Sequence, residues 1–295
     1  MSRWTAQRTA RTPDGRTLAV EEAGDPGGHP VLVHFGMPNS RHLYSGEADD
    51  AARRGLRLIG YDRPGYGGSA PHPGRTVADC VVDVRAICEM LGISKLTMWG
   101  GSGGGPHVLA CAALLPGLVT AVAALASVAP YPADGLDWFT GIGEDDGADF
   151  RLMLTNPDAA RAELEKQRAE ALAASPDTMA EQLKSVFPPN EAAVLTGELA
   201  EYVTQVMQEG LAPGIEGLWE DSLAFMTPWG FDLAGIAIPV LLMHGRDDQS
   251  VPISHSQWLS ARIPGAETRL LDNEGHLSLL VNRMGEVHAW LAGHM

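Results

Sequence analysis

A single serine stands among glycines at the end of an apolar run in TMWGGSGGGPHVLA, residues 97–110. A serine hydroxyl is a weak nucleophile until a neighbouring base takes its proton, and that base needs an acid to orient it. Partners of both kinds occur downstream. LLMHGRDDQSVP ends an apolar run with Asp247 and Asp248, and LLDNEGHLSLL ends the next with His276. Groups that each follow an apolar run, in the order Ser, Asp, His, can converge at the carboxyl edge of one sheet and carry out acyl transfer. The glycines fit a sharp strand-to-helix turn that pushes Ser102 outward. Gly100 and Gly104 keep neighbouring chain clear, and Pro106 suits the first turn of the following helix. A phosphate cradle is the competing use of such a turn, but the P-loop lysine and the full G-x-G-x-x-G with its later acid are missing.

These residues need a scaffold, and the chain supplies an alternating one. RTLAVEEAG follows a PDG turn as the second arm of a hairpin, and PVLVHFG, LRLIGYD, KLTMWG, LVTAVAALASVA, PVLLMHG and ETRLLD read as short buried strands. Helical stretches separate most of them. TVADCVVDVRAICEMLG places Val77, Val81, Val84, Ile87, Cys88 and Leu91 on one face and stops at Gly92. Alternation of this kind implies a mostly parallel sheet with helices on both faces. It fails between about Tyr131 and Ala234, where roughly a hundred residues carry helical patterns and no buried strand; loops of that length are not expected inside a compact domain. The expected organisation is a core of residues 1–130 and 235–295 interrupted by a helical cap of residues 131–234, placed on the carboxyl side of the sheet where ligands bind.

Composition narrows the function classes. A chain of 295 residues with 45% hydrophobic content can bury a sizeable core. Its net charge of −16 and lack of a dense Lys/Arg run argue against a nucleic-acid partner and disfavour anionic membranes. Cys80, Cys88 and Cys111 lie in apolar segments without metal-ligand spacing, so reduced buried thiols are expected, with no metal site. MSRWTAQRTARTPDG has no continuous apolar stretch of the signal-peptide kind, and LVTAVAALASVAP is too short to cross a bilayer. A soluble, cytoplasmic protein is expected.

With this order of groups the chain resembles the α/β-hydrolase superfamily over essentially its whole length except the inserted cap. The resemblance implies a mostly parallel eight-stranded sheet and a serine hydrolase without cofactor, in which Ser102, Asp248 and His276 form the catalytic triad. Asp248 is preferred to Asp247 because the family's acid stands three residues after the glycine of a G-x-x-D turn and precedes x-x-V-P, here Gly245 to Pro252. YDRPGYGGS at 61–69 looks like the family's turn after the fourth strand, and HFGMPNSR at 34–41 looks like its oxyanion loop, with Phe35 set between His34 and Gly36. By that match the backbone N–H groups of Met37 and Gly103 form the oxyanion hole. The resemblance makes epoxide and haloalkane hydrolysis less favoured, because those relatives carry aspartate in place of Ser102.

Other titratable groups near these motifs read as structural. His34, His107, His244 and His255 are expected to be satisfied core histidines, Glu274 a solvated loop acid, and Asp62 with Arg63 a turn-stabilising pair. GEDDGADF at 143–150 is expected to be solvated loop charge. The cap is rich in large apolar side chains, of which Trp138, Phe139, Trp219, Phe225 and Met226 are assigned to the substrate pocket, favouring a small substrate with an apolar or aromatic acyl end. The expected activity is hydrolysis of a carboxylic ester or related activated acyl compound. A proline-iminopeptidase-like aminopeptidase would need cap acids, among Glu144, Asp145, Asp146 and Asp149, to receive an amine. A ligand receptor on the same fold would bind without turnover.

Overall fold

The structure, a computed structural model, describes residues 4–295 apart from the side chains of Glu144, Asp145, Asp146 and Val186. The PDG turn closes a hairpin of β1 (Thr5–Arg11) and β2 (Thr17–Gly24). β3 (His29–His34), α1 (Ser45–Arg53), β4 (Leu56–Tyr61), α2 (Cys80–Leu91), β5 (Leu96–Gly101), α3 (Gly105–Leu114) and β6 (Val119–Leu125) follow in strict alternation. Six helices come next: α4 (Glu144–Thr155), α5 (Pro157–Ala173), α6 (Pro176–Val186), α7 (Pro189–Val194), α8 (Gly197–Leu211) and α9 (Glu216–Phe225). The chain then returns through β7 (Val240–Gly245), α10 (Ile253–Ser260), β8 (Glu267–Leu271) and α11 (His276–Ala292). One eight-stranded sheet results, in the order β1-β2-β4-β3-β5-β6-β7-β8, parallel from β4 to β8.

The period of two along each strand sorts the core into two layers. Val31, Val33, Leu241 and Met243 join Ala51 of α1 and Leu279 and Val287 of α11 on one face. Leu32, Ile59 and Leu242 join Val84 and Ile87 of α2, Leu109 of α3 and Leu259 of α10 on the other. The stretch read as one helix from 76 opens with a 3-10 turn, Val77–Asp79, before α2, and Gly92 ends it with φ 68°, a left-handed conformation that glycine adopts without steric cost.

Two expectations need correction. The β6 strand stops at Leu125, four residues short of the apolar run's end, because Ala126 turns the backbone to φ 46°. GEDDGADF is not a loop; from Glu144 it forms the first two turns of α4. Cys80, Cys88 and Cys111 are buried free thiols, with burial pushing Cys88 up to about 12. Among the described residues no helix is long and apolar enough to cross a membrane, and no His, Cys, Asp and Glu cluster is placed to hold a metal ion.

Candidate active site

Ser102 stands where β5 ends and α3 begins, with φ 54°, outside the range that a serine prefers. Such strain persists only where the surroundings over-determine it. Here they do: a Cβ on Gly104 would overlap the carbonyl oxygen of His34, and a Cβ on Gly100 would overlap that of Gly104. The turn therefore closes at this tightness only with glycine on both sides of Ser102.

Parallel strands β7 and β8 end on the same edge and deliver the other two groups. Asp248, buried in the turn after β7, accepts the Ser250 and Val251 N–H groups on Oδ1 at 3.0 and 2.8 Å. Its Oδ2 lies 2.8 Å from His276 Nδ1 and 3.1 Å from His244 Nε2. Burial by itself would raise the Asp248 pKa, but the His276 charge and the hydrogen bonds from His244 and His276 outweigh it and hold the carboxyl well below the usual carboxylate range. His276 is the first residue of α11 and lines one cavity with Ser102. A neutral imidazole that donates through Nδ1 keeps Nε2 as an acceptor, so the Asp248–His276 bond selects a base competent toward a hydroxyl.

The neighbouring histidines are tied into the scaffold. His244 Nδ1 pairs with the Ser256 hydroxyl at 2.6 Å and its Nε2 with the Val251 carbonyl at 2.7 Å, so it braces the turn that carries Asp248. His255 accepts the Ala129 N–H and donates to the Trp138 carbonyl, and burial pushes it down to about 4. His107 donates to the Gly103 carbonyl at 2.9 Å and stacks on His34; burial pushes it down to about 4 as well.

The loop after β3 runs through Phe35, Gly36 and Met37, all lining the cavity, with the Met37 side chain packed over Gly103. Arg63 clasps this loop by donating to the Phe35 and Gly36 carbonyls. Asp62 and Arg63 do not pair with each other. Asp62 accepts from Arg41 and the Gly68 N–H, whereas Arg63 reaches Asp221 of α9 at 2.8 Å. Asp221 also takes Arg75 at 2.8 Å and the Tyr66 hydroxyl at 3.1 Å, all with negligible exposure. Removing one partner of a buried ion network leaves charge uncompensated, at roughly 3–5 kcal/mol. Asp221→Ala is expected to lose stability by that amount in urea unfolding, and to respond to pH differently from wild type. Burial would raise the Asp221 pKa, but Arg63 and Arg75 depress it far below the unfolded value, so its contribution is complete above about pH 4 and lost as pH falls below that. An equal acid sensitivity in both proteins would exclude this role.

The cavity has a volume of about 510 Å³ and lies between the sheet edge and the inserted helices. Of the five aromatic and sulfur side chains assigned to it from sequence, Trp138 lines it. Phe139, Trp219, Phe225 and Met226 do not: Phe139 and Met226 pack on the larger core cluster, Phe225 lies under Gly103 and edge-on to His107, and Trp219 joins Met153, Ala160, Leu164 and Ile215 in a core within the insertion. The apolar lining comes instead from residues such as Met153, Leu183, Phe187, Val203 and Met207. Tyr44, Glu47, Asp149 and Arg168 add polar groups. Asp149 is held by Gln167 at 3.0 Å, and burial pushes the Glu47 carboxyl up to about 8. Glu144, Asp145 and Asp146, the other acids named for an amine site, lie outside the described side chains.

Of two further acids at the site, one is placed otherwise than expected and one escapes sequence reasoning. Glu274 is buried, not solvated, and accepts from Arg283 and Asn282 of α11. Glu191 of α7 accepts from the N–H groups of Leu277 and Ser278, next to His276. FPPNEA, which contains Glu191, carries only turn and helix-start signals.

Comparison with known proteins agrees with this fold. The chain is 28% identical over 262 residues to a non-heme chloroperoxidase of Streptomyces lividans, covering 86% of this chain and 87% of that protein. It is 25% identical over 259 residues to a bifunctional esterase/perhydrolase of Acinetobacter calcoaceticus, covering 85% and 86%. A thermophilic esterase from Thermogutta terrifontis, in a malate-bound structure, shares the fold at a TM-score of 0.70 with 20% identity, covering 98% of this chain and 100% of that one. Residues 29–283 match the family model for the alpha/beta hydrolase fold, and the chain belongs to that family.

Proposed function

We propose that the protein is a serine hydrolase that cleaves a carboxylic ester or a related activated acyl compound through an acyl-enzyme on Ser102. One observation carries this reading: a serine held at φ 54° on a strand-to-helix turn opens into a cavity that it shares with a histidine bonded to a buried aspartate. His276 takes the Ser102 proton as the hydroxyl attacks the carbonyl carbon, and Asp248 stabilises the imidazolium that forms. The main-chain N–H groups of Met37 and Gly103 receive the oxyanion. His276 then protonates the departing alkoxide, and a water activated by the same imidazole releases the acid. The esterase/perhydrolase relative supports chemistry of this class. No step calls for a cofactor, and the inserted helices act as a cap over the acyl group.

The cavity's apolar lining suits a small substrate with an apolar or aromatic acyl end. Each methylene buried is worth roughly 0.8 kcal/mol, so kcat/KM for p-nitrophenyl esters is expected to rise about fourfold per acyl carbon until the cavity is full. An aminopeptidase would behave otherwise. Asp149 and Glu47 line the cavity, and an amine-reading site built on them would favour a free amino group strongly, because a neutral ester offers those acids no cation. Prolyl naphthylamide is expected to be ignored. Efficient cleavage of that amide, with no gain along the ester series, would replace the esterase reading with the aminopeptidase one, and saturable binding without steady-state turnover of any ester, lactone, thioester or amide would point to a receptor.

A further inference from the structure

The N-terminus of α11 has an unusual cap. The first N–H groups of a helix have no intrahelical acceptor and are commonly satisfied by the side chain of the residue just before it. That residue here is Gly275, which has no side chain to offer. Its own N–H donates to the Ser278 hydroxyl at 2.8 Å. The acceptor for the helix comes instead from the insertion, 86 residues earlier in the chain: Glu191 Oε2 lies 2.8 Å from the Leu277 N and 3.3 Å from the Ser278 N. The Glu191 carboxylate occupies the space that a Cβ on Gly275 would take, which explains a glycine at that position. Glu191 is 1% exposed, a rare condition for an acid on a six-residue helix.

The preceding residue makes the matching contact to the other loop. Asn190 Nδ2 donates to Asp247 Oδ2 at 3.1 Å and to the Asn273 carbonyl at 3.2 Å. Two consecutive residues of the insertion thus hold the turn that carries Asp248 and the turn that leads into His276.

We propose that Asn190 and Glu191 form a clasp through which the inserted helices set the position and basicity of His276, with Glu191 as a positioning residue. The inference rests on the hydrolase reading given above. A carboxylate at a helix N-terminus is favourable, and one beside an imidazole stabilises its protonated form. His276 therefore stands between two acids, Asp248 at its Nδ1 and Glu191 under its backbone. The Glu191 pKa reflects the same environment: burial and Asp248 raise it, while the Leu277 and Ser278 N–H groups and His276 oppose the rise. The other ionisable groups around these turns already have partners: His244 on Asp248, Arg283 on Glu274, Arg246 on Asp272, and Asp247 on the Asn190 amide. Undocking of α7 would remove the helix cap, the nearby charge and the Asn273 contact together.

Glu191→Gln tests this most cleanly, because a side-chain amide oxygen still accepts the two N–H groups while the charge is gone. The His276 imidazole is titrated by NMR in wild type and variant, a readout that needs no turnover, and kcat/KM is measured against pH per active site. The His276 pKa is expected to fall by about one unit, moving the acidic limb of the profile to lower pH, with kcat reduced on the order of tenfold and KM little changed. Asn190→Ala, which keeps the charge but loosens the turn, is expected to reduce kcat without moving that limb. An unchanged His276 titration in Glu191→Gln would overturn the clasp even if ester hydrolysis is found. If no hydrolysis is found, the hydrolase reading fails, and the titration still decides whether Glu191 acts on His276.

Discussion

Ser102→Ala is expected to lower kcat for the best ester by about 10⁴-fold or more while leaving KM within a few-fold of wild type. The direction follows from what remains: cavity lining and main-chain donors are untouched, so binding persists, whereas no atom is left to carry the acyl group. His276→Ala is expected to fall by a similar factor, and the double variant hardly further, since groups that act as one unit do not contribute additively. A fluorophosphonate probe makes the same test covalently. It is expected to label Ser102 in wild type, to label it slowly without His276, and to leave Ser102→Ala unmodified; labelling retained in Ser102→Ala would place the nucleophile elsewhere.

Asp248→Asn is expected to cost about 10⁴-fold in kcat, and Asp247→Asn little. The two side chains differ in what surrounds them. Asp248 is buried, receives hydrogen bonds from the Ser250 and Val251 N–H groups and from His276, and lies 3.1 Å from His244 Nε2. An amide that keeps its oxygen on the Ser250 and Val251 N–H groups sets its NH₂ against His276 and His244, so the imidazole turns to the wrong tautomer or leaves its place. Asp247 is exposed, and its carboxylate meets Asn190. Urea unfolding of both variants separates a catalytic loss from a folding one. If Asp247→Asn proves the more damaging with stability intact, the proposed acid is the wrong one of the pair.

The core sheet was legible because buried strands and amphipathic helices carry distinct periods: seven apolar or alternating runs and a PDG turn locate the eight strands within a few residues. The Ser102 turn was legible for a related reason. GGSGG between a strand and a helix is a local steric solution, and Gly100 and Gly104 are needed by backbone atoms close by. Asp248 and His276 follow apolar runs, so parallel strands bring them to the same edge as Ser102 without further information. The choice between the adjacent aspartates was different in kind, resting on a family pattern and not on chemistry visible in two identical residues.

The insertion was where sequence stopped being sufficient. Trp219, Phe225 and Met226 have the same apolar character as Met153 and Met207, and a helical period says which residues share a face but not whether that face meets a core or a cavity. Only packing placed Trp219 inside the insertion and Met207 on the cavity wall. Polar partners were hidden by separation along the chain. Arg63 ignores its neighbour Asp62 for Asp221, 158 residues away, and Glu191 finds Leu277 across 86, because buried charge goes to whatever opposite group the fold brings within reach. The chain's own spacing determined the sheet, the turn and the order of the reacting groups, since these depend on interactions between near neighbours and on strand direction. The tertiary structure alone decided which side chains face the substrate and which hold His276 in place, since those contacts exist only after six inserted helices have packed against the sheet's edge.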